Sequence, residues 1–257
     1  MQTVFVGPAP RLALSVAGEG ELLLFLHGIG GRRQNWNAQL AFFSATHKAA
    51  AWDARGYGES DDYEGTLDFA VFSDDLRRLL DHFGARRAHV VGLSMGGRIA
   101  RNFALQHPER VRSLTLANTS PGFGVMTSEQ VRAFVEQRRK LDPEQQAKRL
   151  IAPNAPREAY DTLVASLRAV HRESYLKTVE ASVAQDLAAP IERIRAPTLV
   201  IGSTRDSLYP LSVAQGMARR IPGARLVVID GAGHLSNLER PQEFNRALAD
   251  FLGTLPR

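Results

Sequence analysis

The chain has 257 residues, 44% hydrophobic and 23% charged, a balance that suits one large globular α/β domain with a substantial core and excludes a disordered or fibrous chain. It contains no cysteine, which rules out disulfides and thiolate–metal sites. The net charge of +5 rests on scattered basic residues, with Arg-Arg pairs at 32–33, 77–78, 86–87, 138–139 and 219–220; this reads as a solvated surface rather than a nucleic-acid groove.

The opening residues, "MQTVFVGPAPRLALSVAGEGE", lack a basic n-region and a long apolar h-region, and no apolar run reaches the roughly 18 to 20 residues needed to span a bilayer. A cytoplasmic location with no membrane association is expected. Strands are predicted at Leu12–Val16 and Leu22–Leu26, the second followed by the glycine-rich "HGIGG", and then at Ala49–Trp52. Phe69, Phe72, Leu76, Leu79, Leu80 and Phe83 recur at helical spacing, with Gly84 as a stop. Further strands follow at Ala88–Gly92, Ser113–Leu116, Thr198–Ile201 and Leu226–Ile229. The runs "LLLFL", "HVVGL" and "TLVIG" are apolar on both faces, as in a covered parallel sheet, and their alternation with helices predicts a doubly wound α/β fold.

Residues 122–186 break that alternation. No convincing strand lies there; Thr127 and Gln130 have the spacing of a capping box, and Pro143 and Pro156 sit where new helices would begin. About four helices are predicted, forming a cap over one end of the sheet. The expected division is therefore 1–121 and 187–257 as the core and 122–186 as a helical lid.

Gly92-Leu93-Ser94-Met95-Gly96 joins a strand directly to a helix, "RIARNFALQH", in the pattern G-x-S-x-G. A corner this tight forces an unusual backbone at Ser94 and pushes its hydroxyl out of the sheet end. It leaves the Met95 N–H in the first helical turn, without an intrahelical acceptor. A serine hydroxyl needs a base, and the base needs an orienting acceptor. His234 lies in the glycine-rich loop after the last strand, although pairing with the nearby Glu239 is an alternative for that ring. Asp206 follows the strand Thr198–Ile201; the competing position after Ser113–Leu116 offers only Asn118. An oxyanion would find donors at Met95 N–H and Ile29 N–H, the latter in the loop "LHGIGG".

Together, "FLHGIGG", "WDARGYGES", "GLSMGG", "GSTRD" and "GAGHLSNLERP" resemble the α/β-hydrolase family over nearly the whole chain. The resemblance implies a mostly parallel sheet flanked by helices, with a helical cap inserted after the sixth strand. It also implies a cofactor-free, metal-free Ser94–His234–Asp206 hydrolase that forms an acyl-enzyme. "HLSNLERP", "GLSMGG" and "ANTSP" look most like 3-oxoadipate enol-lactonases and small carboxylesterases, so a small ester or lactone is the expected substrate. Carbon–carbon hydrolases of ring-cleavage products resemble the chain less, since they usually carry tryptophan soon after the histidine, where Leu235 and Ser236 stand here. A ligand-sensing protein of low turnover is a third reading. A carboxylate-bearing lactone would want a cation, and Arg132, Arg138, Arg139, Arg168, His171 and Arg172 in the cap are candidates. Trp36 is expected to line the pocket or pack in the core, Leu235 to face substrate, and Phe134, Leu150 and Leu167 to serve as cap core. Nothing in the sequence selects between monomer and homo-oligomer.

Overall fold

The computed structural model describes residues 1–140, 142–185 and 188–256. Eight strands form one sheet: β1 (Gln2–Val6), β2 (Leu12–Ala17), β3 (Leu22–Leu26), β4 (Lys48–Trp52), β5 (Ala88–Leu93), β6 (Val111–Ala117), β7 (Thr198–Ser203) and β8 (Arg225–Ile229). Their spatial order is β1-β2-β4-β3-β5-β6-β7-β8. The pairs β1/β2 and β2/β4 are antiparallel and the remaining pairs parallel. Every residue of β3, β5 and β7 is buried, which is why those runs carry no polar alternation.

The helices are α1 (Asn37–Phe43), α2 (Val71–His82), α3 (Met95–Gln106), α4 (Ser128–Arg139), α5 (Pro143–Leu150), α6 (Arg157–Arg168), α7 (Arg172–Ala184), α8 (Leu211–Arg220), α9 (Ser236–Glu239) and α10 (Pro241–Gly253). Two apolar clusters cover the two faces of the sheet. One holds Leu24, Trp52, Phe72, Leu76 and Ile99; the other holds Phe25, Trp36, Phe43, Phe244 and Leu248. The alternating side chains of β3 divide between them, as the period of two requires.

Among the described residues, α4 to α7 follow β6 without an intervening strand. Thr127 and Gln130 form the reciprocal capping box that opens α4, and Pro143 occupies the first turn of α5 beside the Asp142 cap. The strand absent from the sequence reading is β1. It is a short edge strand, largely exposed and partnered only by β2, so it has neither a continuous apolar run nor a clean alternation. It brings the number of strands ahead of the cap helices to six.

His89, near the start of β5, is buried with its Nδ1 2.7 Å from Ser113 Oγ. Burial pushes its pKa down to about 4, with His47 and Arg112 acting in the same direction and Glu21, 3.4 Å from Nε2, opposing. In the unfolded chain the ring takes a proton near its ordinary value of 6.5. Between those values the unfolded state holds the extra proton, so stability falls as pH drops. The expected loss is about 2 kcal/mol from about pH 7 to about pH 5. Denaturant titrations at both pH values check this; His89→Gln should remove this share, leaving what His27 and His47, also lowered by burial, contribute in the same direction.

Candidate active site

β5 lies between β3 and β6, so its carboxyl end faces the loops that leave both neighbours. The chain turns there from strand to helix in a single residue, Ser94, at φ 57° and ψ −119°. This region is costly for a residue with a side chain, by about 1–3 kcal/mol, and needs enforcement by its surroundings. A Cβ on Gly92 would come within 2.1 Å of the Gly96 carbonyl oxygen, and one on Gly96 within 2.2 Å of the Leu26 carbonyl oxygen. Only glycine fits at either flank. Ser94 N–H donates to the Ala117 carbonyl at 3.0 Å, and the Thr119 hydroxyl donates to the Ser94 carbonyl at 2.6 Å, so β6 pins the turn from the side. Met95 opens α3, where its N–H is among the helix's four unpaired donors.

Asp206 follows β7 and His234 follows β8. His234 Nδ1–H donates to Asp206 Oδ2 at 3.0 Å. The same oxygen accepts from Asn118 Nδ2 at 3.0 Å, and Oδ1 accepts the backbone N–H groups of Leu208 and Tyr209, both at 2.9 Å. Burial by itself would raise the carboxyl. The His234 hydrogen bond and charge, with the Tyr209 and Asn118 donors, outweigh it and hold Asp206 below the ordinary carboxylate value. Glu239 does not pair with the imidazole; its carboxylate accepts backbone N–H groups instead.

In the β3 loop the Gly28 carbonyl is clamped by two donors, His27 Nδ1–H at 2.8 Å and Gly31 N–H at 3.0 Å. Its trans peptide places the Ile29 N–H on the opposite edge, so the clamp fixes that donor's direction as well. His27 Nε2 accepts the Ala54 N–H at 3.0 Å, which sets the tautomer. Burial lowers its pKa and keeps it neutral.

Ser94, His234, Ile29, Trp36 and Leu235 line one cavity of about 120 Å³, walled mainly by apolar side chains of the cap and core. Trp36 both lines it and packs, 5.0 Å from the Phe25 ring and 5.8 Å from Phe244. Arg138 reaches the rim, over the Phe134 ring at 5.1 Å. His171 is not brought to this cavity: it occupies the position just before α7, and its Nε2–H donates to the Gly58 carbonyl at 3.1 Å. Arg139 pairs with Glu136 and Glu173, and Arg168 with Glu144. Phe134 and Leu150, expected in the cap core, line the cavity, whereas Leu167 is core.

Three residues beside the site were given no role in it by the sequence reading. Arg98, on α3, is buried at the cavity wall, 4.7 Å from the Phe123 ring centre, with its guanidinium donating to the Ser182 carbonyl at 2.9 Å. His27 was legible as the residue opening "HGIGG". Asn118, at φ 44°, owes its place to the β6–β7 pairing, which no local pattern reveals. A hydroxyl on a strained turn and a buried imidazole–carboxylate pair, lining one mainly apolar cavity, are groups able to perform nucleophilic acyl transfer. Among the described residues no group of three or more His, Cys, Asp or Glu side chains could hold a metal, and no helix is long and apolar enough to cross a membrane.

Residues 23–247 match the model of the alpha/beta hydrolase family. The chain is 30% identical over 250 residues to 3-oxoadipate enol-lactonase 2 of Acinetobacter baylyi, covering 93% of each protein. It is 32% identical over 267 residues to the 2-hydroxy-6-oxononadienedioate/2-hydroxy-6-oxononatrienedioate hydrolase of Paraburkholderia phymatum, covering 96% of this chain and 92% of that one. The thermophilic esterase from Thermogutta terrifontis superposes with a TM-score of 0.88 at 28% identity, covering 98% of both chains.

Proposed function

Since the chain belongs to the alpha/beta hydrolase family, we propose that it is a serine hydrolase of small esters or lactones, working through an acyl-enzyme. The Asp206–His234 hydrogen bond at the cavity that also holds Ser94 carries this reading. Ser94 Oγ attacks the acyl carbon while His234 Nε2 takes its proton. Asp206 holds Nδ1–H and stabilises the imidazolium that results. The oxygen of the tetrahedral intermediate is met by Ile29 and Met95 N–H groups, each contributing roughly 3 kcal/mol of transition-state stabilisation. The same proton then passes from His234 to the leaving alkoxide, or to the ring-opened oxygen of a lactone. Water repeats the sequence against the acyl-enzyme and releases the acid.

Residues 122–186 act in this reading as the lid, with 1–121 and 187–257 as the core; the boundary at 186 and 187 lies outside the described residues. α4 to α7 supply Phe134, Leu150, Leu163, Val179 and Val183 to the cavity. A space of about 120 Å³ is of the order that holds one benzene-sized group, which favours short acyl chains and small rings over lipids. Arg138 at the rim suits a carboxylate at the far end of the substrate.

The test is a rate panel on the purified protein: a carboxylated enol-lactone, a neutral short-chain ester, a long-chain ester and a vinylogous diketone. Turnover of the first two, with the long-chain ester excluded, is expected. Preference for the diketone would replace the proposal with carbon–carbon bond hydrolysis, the reading that the Paraburkholderia relative favours. Stoichiometric binding with no turnover of any of them would point to a sensor. Arg138→Ala should raise KM for the anionic substrate about tenfold and leave the neutral ester nearly unchanged.

A further inference from the structure

Glu239, the last residue of α9, is a buried carboxylate that the chemistry above does not use. Its Oε2 accepts the N–H groups of Ala152 and Gly233, both at 2.9 Å, and its Oε1 accepts that of Leu235 at 3.1 Å. Gly233 and Leu235 flank His234, and Ala152 lies just beyond α5. His234 N–H itself donates to the Leu150 carbonyl at 2.7 Å. The two segments lie so close that a Cβ on Gly233 would sit 2.5 Å from the Ala152 nitrogen and 2.8 Å from the Ile151 carbonyl carbon. One carboxylate thus gathers donors from both sides of His234 and from the cap.

We propose that Glu239 is a positioning residue that locks the His234 loop to the end of α5, so that seating of the cap and alignment of the imidazole are one event. This rests on His234 being the base. Three converging N–H groups require acceptors at both side-chain oxygens, which a carboxyl group offers; an amide has one acceptor oxygen and turns an NH₂ toward the remaining donor. Leu150 and Leu235 also line the cavity, so a substrate that fills it presses on both halves of the lock. The cap thereby reports occupancy to the group that must accept the Ser94 proton.

Glu239→Gln, equal in shape, tests this. Its kcat on a small ester should fall 10- to 100-fold with KM changed less than about threefold. In the variant the amides of residues 152, 233, 234 and 235 should all exchange faster than in the unaltered protein, while those of β5 stay unchanged. Lower thermal stability with unchanged kcat well below the melting temperature would reduce Glu239 to a structural role and overturn the proposal. A measurement on the unaltered protein serves if the variant does not fold. The four amides should exchange at one common opening free energy, and all should slow together when a phosphonate is attached to Ser94. Ala152 exchanging independently of the other three would also overturn it. His234→Ala separates the two readings: if it keeps full activity, the base assignment itself fails. If it is inactive while Glu239→Gln is unimpaired, only the lock fails.

Discussion

Ser94→Ala is expected to lower kcat on a small ester by about 10⁵-fold while leaving the fold intact. The two halves of that expectation have different causes. Alanine keeps the Cβ, so the strained turn at φ 57° is neither relieved nor worsened. The glycines at 92 and 96, the Ala117 carbonyl and the Thr119 hydroxyl still enforce it. The melting temperature should therefore move by no more than a few degrees. Ser94→Gly, which tolerates positive φ, should stabilise the protein by roughly 1 kcal/mol and be equally inactive. A chain that holds serine where glycine would be more stable is placing a hydroxyl rather than building a turn. Steady-state kinetics and thermal melts on both variants check this; residual turnover above about a tenth of wild type would remove Ser94 from the chemistry.

Asp206→Asn should reduce kcat by about 10⁴-fold with KM little changed. The carboxylate is surrounded by donors only: His234 Nδ1, Asn118 Nδ2 and the Leu208 and Tyr209 amides. An amide there must turn its NH₂ toward one pair of them. The two backbone donors are fixed, so the oxygen stays with them and the NH₂ faces His234 and Asn118. The imidazole escapes the donor–donor contact by moving its proton from Nδ1 to Nε2. The nitrogen that should accept the Ser94 proton then already carries one. Activity should partly recover at high pH if hydroxide substitutes for the base, whereas a variant that had merely collapsed the loop would not recover. Nitrogen-resolved NMR of the ring reads the tautomer directly.

Much of this molecule is local chemistry, and the sequence by itself determined that part. A strand running straight into a helix through G-x-S-x-G puts the serine at a strained corner, which the flanking glycines make room for and the β6 side holds in place. The capping box at Thr127 and Gln130 and the glycine stop after α2 are settled within a few residues, because their hydrogen bonds close over three or four positions. The placement of Ser94, Asp206 and His234, each just after the carboxyl end of an apolar run, was legible in the spacing. What only the tertiary structure decided is which distant groups meet. Asn118 reaches Asp206 because β6 and β7 are neighbours, and Glu239 reaches Ala152 because the cap folds back onto the last loop. Arg98 faces the cavity, and His171, from the same set of basic candidates as Arg138, turns to a backbone carbonyl of the core. A side chain's periodicity states which face it occupies, but its partner across that face is set by strand order and by packing volume, and neither is written in the spacing of residues along the chain.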